Sequence, residues 1–171
     1  LAGTRGKTTI VGELDGRASP RIQAIAAAFR QAGLATEVTD NIVGTMWDKL
    51  LVNVATGALA GITRLSYGLL YQVPEVEATA LAAVAEAMAV ARAKGVRLSI
   101  EAPRQAWTLA AAGLSGDFKT SMLQSLEKGA RTEIDVINGA VVREGERLGI
   151  ATPVNRTLVA CIKGIEKGLG A

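Results

Sequence analysis

Trp47-Asp48-Lys49-Leu50-Leu51-Val52-Asn53 sits inside an apolar run from Ile42 to Ile62. The few polar residues of that run are Thr45, Asp48, Lys49, Asn53 and Thr56. They recur at helical spacing, so on an α-helix they fall along one stripe of an otherwise buried cylinder. Lys49 and Asn53 are one turn apart on it. A lysine in such a helix either snorkels at the edge of the core or is held in a cleft for chemistry. Periodicity alone favours the first, because a polar face is the ordinary state of an amphipathic helix.

Composition narrows the chemistry. The sequence has 171 residues, a length that suits one domain able to bury roughly two-thirds of its unfolded surface. Aromatic residues make up only 4%, so helices must pack closely through Ala, Gly, Leu and Val. The net charge of +3 is small, and Lys and Arg are scattered among acids. That argues against nucleic acid and against an anionic membrane surface. There is no histidine and one cysteine, Cys161. Histidine-based acid–base or triad catalysis, an internal disulfide and a cysteine zinc site are all excluded, and no metal is expected. Proton transfer must fall to Lys, Asp, Glu or Tyr. Asp48 and Lys49 interrupt the best candidate for a membrane span, and a reducing, cytoplasmic setting is the expectation.

Along the chain, residues 1–17 differ in character from the remainder. Gly3-Thr4-Arg5-Gly6-Lys7-Thr8 has only two residues between its glycines, where a P-loop needs four, and is expected to be a turn. Lys7 to Glu13 predicts a short β-rich segment closed by Asp15-Gly16. The opening at Leu1, without Met, suggests a piece of a longer protein. Ser19-Pro20 predicts a helix start, with Ile22, Ile25, Ala26 and Phe29 as its apolar stripe and Gly33 as its stop. Leu34 to Val38 predicts a second extended segment. Asp40 or Asn41 should cap the central helix, which runs to about Gly61. Thr63 to Gln72 is expected to be irregular. Further helices are expected from Pro74 to Lys94, from Pro103, from Thr120 or Ser121, from the Thr132-Glu133-Ile134-Asp135 capping pattern to Gly149, and from Pro153. No βαβ alternation or internal repeat is visible. The expected fold is mainly α, a helical bundle with a short β fringe at its N-terminus.

Four motifs in series carry a resemblance. They are Trp47-x-Lys49-x-x-x-Asn53, Lys119-Thr-Ser121-Met-Leu-Gln124, Arg131-Thr-Glu133-Ile-Asp135-x-Ile-Asn138-Gly139, and Gly149-Ile-x-Thr152-Pro153-x-Asn155. In order and spacing they resemble the ketopantoate reductase (2-dehydropantoate 2-reductase) family, and Thr8-Thr9-Ile10-x-Gly12-Glu13 resembles the last strands of that family's nucleotide-binding domain. The resemblance implies an all-helical substrate domain like the C-terminal domain of 6-phosphogluconate dehydrogenase-like reductases. It assigns residues 1–17 to the end of a Rossmann domain and 18–171 to the helical domain. No Gly-x-Gly-x-x-Gly opens a βαβ unit here, so NADP would be bound mainly by a domain this chain lacks, and the chain alone should be inactive.

The same resemblance implies roles. Lys49 matches the catalytic lysine, the general acid that protonates a small 2-keto acid as it is reduced. Glu133 matches the acidic residue near that lysine, a catalytic partner also within reach of the cofactor. Asn53 and Ser121 match the substrate-binding asparagine and the serine that contacts the substrate carboxylate. The alternatives are a helix-face hydrogen bond for Asn53, a first-turn acid on a helix dipole for Glu133 and a plain N-cap for Ser121. Thr132, Asp135, Asn138 and Asn155 are expected to serve capping and structure. The chain departs from the family pattern at Gly57 and near Tyr67, where family members commonly offer asparagine, and at Ser125, where an Asp is frequent. The expected function is thus the helical domain of an NADPH-dependent 2-keto acid reductase of the pantothenate-biosynthesis type. The alternative, from another class, is a non-catalytic dimerisation or ligand-binding module, with the Ala-rich helix from Glu75 to Lys94 pairing with a copy of itself into a homodimer.

Overall fold

The structure is a computed structural model and describes residues 8–169, so the turn expected over Gly3–Thr8 lies, but for Thr8, outside the described residues. It divides into two compact units, one up to Met46 and one from Trp47 onward. In the first, β1 (Thr9–Val11) pairs in parallel with β2 (Thr36–Val38), Ile10 opposite Glu37. Parallel neighbours need a crossover, and α1 (Pro20–Gln31) supplies it. The two extended segments thus form one βαβ step, which the sequence reading did not anticipate. Ser19 caps α1 by accepting from the Ile22 N–H at 3.2 Å, with Pro20 at the first helical position. Of the expected stripe, Ile22 and Ala26 are buried, whereas Ile25 and Phe29 are exposed.

The central helix α2 (Ile42–Thr63) is capped by Asn41, whose Oδ1 accepts from the Gly44 N–H at 3.2 Å. Leu51, Val54, Ala55, Ala58 and Leu59 are buried, as a nearly all-apolar helix requires. Where Thr63 to Gln72 was expected to be irregular, a single turn, α3 (Tyr67–Leu70), forms. Then come α4 (Pro74–Ala93), α5 (Pro103–Ala111), α6 (Ser121–Glu127), α7 (Asn138–Leu148) and α8 (Pro153–Leu169). Eight residues of α4 are buried, among them Val76, Val84, Met88 and Val90. The apolar side of the Ala-rich helix is therefore spent on the core.

One helix start differs from expectation, and another is capped from a distance. α7 begins at Asn138 rather than near Thr132. Thr132 gives both its N–H and its hydroxyl to Glu166 Oε1 at 2.7 Å, and its Oγ1 accepts from the Ile134 N–H, which holds residues 133–137 in a turn. Asp135 is not a capping residue; it forms an ion pair with Lys163. α8 takes its cap from another helix. Both oxygens of Glu86, on α4, accept from the Val154 and Asn155 N–H groups at 2.9 and 3.0 Å. A carboxylate at a helix N-terminus satisfies orphan donors and meets the positive end of the dipole. Among the described residues no helix is long and apolar enough to cross a membrane.

Candidate active site

The polar stripe of α2 does not act as one. Asp48 turns to the loop after α4, where its carboxylate accepts from the Ser99 hydroxyl and from the Ser99 and Ile100 N–H groups at 2.5–3.2 Å. Lys49, Asn53, Thr56 and Gly57 instead line a cleft of about 190 Å³. Tyr67 of α3, Ala110 of α5, Phe118 and the first residues of α6 form its other walls. Lys49 is exposed. Among the described residues neither its ammonium nor the Asn53 side chain has a hydrogen-bond or ion-pair partner. Both present unspent polar groups to the same space.

Thr120 and Ser121 divide the work at the start of α6. The Thr120 side chain is the N-cap, accepting from the Leu123 N–H at 3.2 Å. Ser121 is thereby released from capping, and its hydroxyl donates to Glu133 Oε2 at 3.1 Å. Glu133 lies on the turn before α7 and forms no ion pair with Lys49 within 4.0 Å; it reaches the cleft through Ser121. Of the residues the sequence pointed to, Lys49, Asn53 and Ser121 come together, and Glu133 stands one hydrogen bond behind them.

Sequence reasoning missed the deeper end. Thr56 Oγ1 and the Tyr67 hydroxyl are hydrogen-bonded at 3.0 Å, both buried. Burial raises the Tyr67 phenol above its usual range, outweighing that hydrogen bond, so it is neutral at ordinary pH. Tyr67 packs on Phe118 and Tyr71 at ring separations of 5.0 and 5.4 Å, and Tyr71 stacks on Trp107 at 3.9 Å. Glu166, which anchors the Thr132 turn, is the second omission. Its burial favours the neutral acid, but the two Thr132 bonds and Lys163 prevail, and its pKa is lowered. Both depend on contacts between distant segments, for which local spacing carries no signal.

The wall bearing Leu114 and Phe118 is fastened by backbone bonds: the Gly68 N–H to Gly116 O at 2.6 Å and the Tyr67 N–H to Phe118 O at 3.0 Å. A Cβ on Gly68 would stand 2.9 Å from that Gly116 oxygen and 3.1 Å from its Cα. Gly68→Ala should therefore displace the loop and cost about 1–3 kcal/mol, the usual range for overpacking. Thermal denaturation checks this, and an unchanged midpoint would show the loop to be free to move.

Comparison with known proteins settles the family. The model for the C-terminal region of PanE/ApbA ketopantoate reductases matches residues 41–166. The chain belongs to that family. A relative from Archaeoglobus fulgidus, a 2-dehydropantoate 2-reductase, is 36% identical over 161 residues, 94% of this chain and 53% of the relative. A PanE/ApbA family ketopantoate reductase from Ralstonia eutropha JMP134 superposes with a TM-score of 0.85 at 36% identity, over 96% of this chain and 53% of that one. A D-mandelate dehydrogenase in ternary complex with NADH and anilino(oxo)acetate superposes at 0.84 with 25% identity, over 96% and 68%. The chain thus spans about half the length of the curated relatives it matches. Within the family frame, the cleft lies wholly in the matched region.

Proposed function

We propose that this chain is the substrate-holding and proton-donating half of a nicotinamide-dependent 2-keto acid reductase. The observation that carries the reading is the convergence of Lys49, Asn53 and Ser121 on one cleft, with the Lys49 ammonium unspent. A nicotinamide coenzyme, NADP in our reading, supplies the hydride to the keto carbon when bound. The donor set suits such a reaction: an unpaired cation faces the place where negative charge would develop, beside an amide able to donate and to accept. Lys49 gives its proton to the new alkoxide oxygen and, being exposed, recovers one from water. Asn53 orients the keto oxygen, and the Ser121 hydroxyl turns its one hydrogen from Glu133 to the substrate carboxylate. Glu133 holds the Ser121 hydroxyl at the edge of the cleft before substrate arrives. The mandelate dehydrogenase likeness supports the same 2-keto/2-hydroxy acid pair.

The coenzyme would be held mainly outside this chain, with Glu133 as its contact here. The sequence reading ended the nucleotide-binding domain at Arg17, and we propose that its edge extends to β2. A two-stranded sheet is marginal by itself, and Ile10, Leu14, Ile25, Phe29 and Leu34 are all exposed, as at the margin of a larger domain. The compact first unit and the start of the family match at residue 41 support the later boundary. A reducing, cytoplasmic setting suits the lone exposed thiol of Cys161. Association into a homodimer is proposed on the sequence reading alone, and light scattering on the intact enzyme checks it.

The test is coenzyme oxidation by the intact enzyme, this chain together with its nucleotide-binding half, when given 2-keto acids. Turnover with NADPH or NADH is expected, and none from this chain alone; absence of turnover with every 2-keto acid would end the reading. In the active enzyme Ser121→Ala should raise KM for the keto acid about 10-fold, the worth of one hydrogen bond to a charged group, with kcat changed less. A fall in kcat at constant KM would place Ser121 elsewhere in the mechanism.

A further inference from the structure

The cleft is chemically uneven. Its unspent polar groups, the Lys49 ammonium and the Asn53 amide, and the exposed Ser121 hydroxyl bonded to Glu133, belong to residues already given the keto acid head. Beyond them the lining is Val52, Ala110, Leu114, Phe118, Met122 and Ile137. The three polar side chains at that end are hydroxyls already in hydrogen bonds, Thr56 with Tyr67, and Thr120 accepting from the Leu123 N–H. On α2 the position facing this end is Gly57, whose missing Cβ leaves only the Met122 Cε nearby, at 3.5 Å from where it would stand. A substrate hydroxyl carried into this end would exchange its water for mainly apolar walls, which costs free energy. An apolar branched group would lose nothing.

We propose that the cleft selects 2-keto acids with an unhydroxylated, branched or aryl side chain, and that Gly57 is the residue that makes room for it. The inference rests on the reductase reading above and names the substrate class of that same site. Trimethylpyruvate and ketopantoate differ at the tail by one hydroxyl, so they isolate the question.

The intact enzyme is assayed with both under saturating coenzyme. Trimethylpyruvate should show kcat/KM about 10-fold or more above ketopantoate, the scale on which an apolar pocket rejects an added hydroxyl. Gly57→Asn fills the space and adds a donor and an acceptor, so the ratio should fall at least about 10-fold, chiefly through loss on trimethylpyruvate. Gly57→Ala adds one carbon at ordinary contact distance from Met122. It should lower trimethylpyruvate kcat/KM about 2- to 10-fold, a result that does not depend on the bulkier variant folding. Preference of the unmodified enzyme for ketopantoate would overturn the inference and leave the reductase reading intact. Equal ratios in the enzyme and its folded Gly57 variants would overturn the role of Gly57. No turnover of either acid would overturn the reading beneath both.

Discussion

Replacing Lys49 with alanine in the intact enzyme should lower kcat for keto acid reduction about 10²- to 10⁴-fold, the range typical for loss of a general acid. Coenzyme affinity should hardly change, because the side chain points into the keto acid cleft. The size of the effect follows from doubling of function: the ammonium both delivers the proton and offsets the alkoxide charge before transfer is complete. Lys49→Arg separates the two. It keeps a cation but not a transferable proton, so it should recover substrate binding far better than turnover. Stopped-flow measurement of coenzyme oxidation and fluorescence titration of coenzyme give the two quantities independently. A kcat within about threefold of the unmodified enzyme, well inside the range expected for a lost acid, would remove Lys49 from proton transfer.

The largest expected effect on stability lies far from that lysine. Asn155 is fully buried at the start of α8. Its Nδ2 donates to Ala83 O at 2.9 Å and to Glu86 Oε2 at 2.7 Å, and its Oδ1 accepts from Asn138 Nδ2 at 3.0 Å. Asn155→Ala would leave the Asn138 amide without a partner in the dry interior, at about 1–3 kcal/mol, and remove a charge-assisted bond to Glu86 worth about 1.5–3 kcal/mol, while the Ala83 carbonyl keeps its partner within α4. A total near 3–5 kcal/mol corresponds to a melting midpoint lowered by roughly 10 °C in a domain of this size. Asn155→Asp should be worse, since it sets a second carboxylate against Glu86. Calorimetry of the intact enzyme checks both. A loss under about 1 kcal/mol would mean that water enters and takes over the bonds.

What the sequence conveyed and what it withheld divide along a physical line. Helices marked by local chemistry were placed well: Ser19-Pro20 opens α1, Asn41 caps α2, and Gly149, in the left-handed region at φ 68°, ends α7. Each involves residues within a few positions of one another. Errors came where distant partners outbid local ones. Thr132 and Asp135 read as the start of a helix, yet Glu166 and Lys163 of α8 had already engaged them. Glu86 carries no local signal, yet it caps α8. In the cleft, spacing pointed to Lys49 and Asn53, and it also grouped Asp48 with them although adjacent residues face different neighbours. Ser121 read locally only as a possible N-cap and gained its site role through the family motif, and the Thr56–Tyr67 pair had no signal in either segment.

Lys49, Asn53 and Gly57 stand at successive turns of α2, about 6 Å apart along its axis. The proton source, the group that grips the reacting oxygen and the space for the tail are thus separate rungs of one rigid ladder. Drift at the last rung retunes what is accepted without disturbing the electrostatics of the first. Such a helix lets a lineage change its diet while keeping its chemistry.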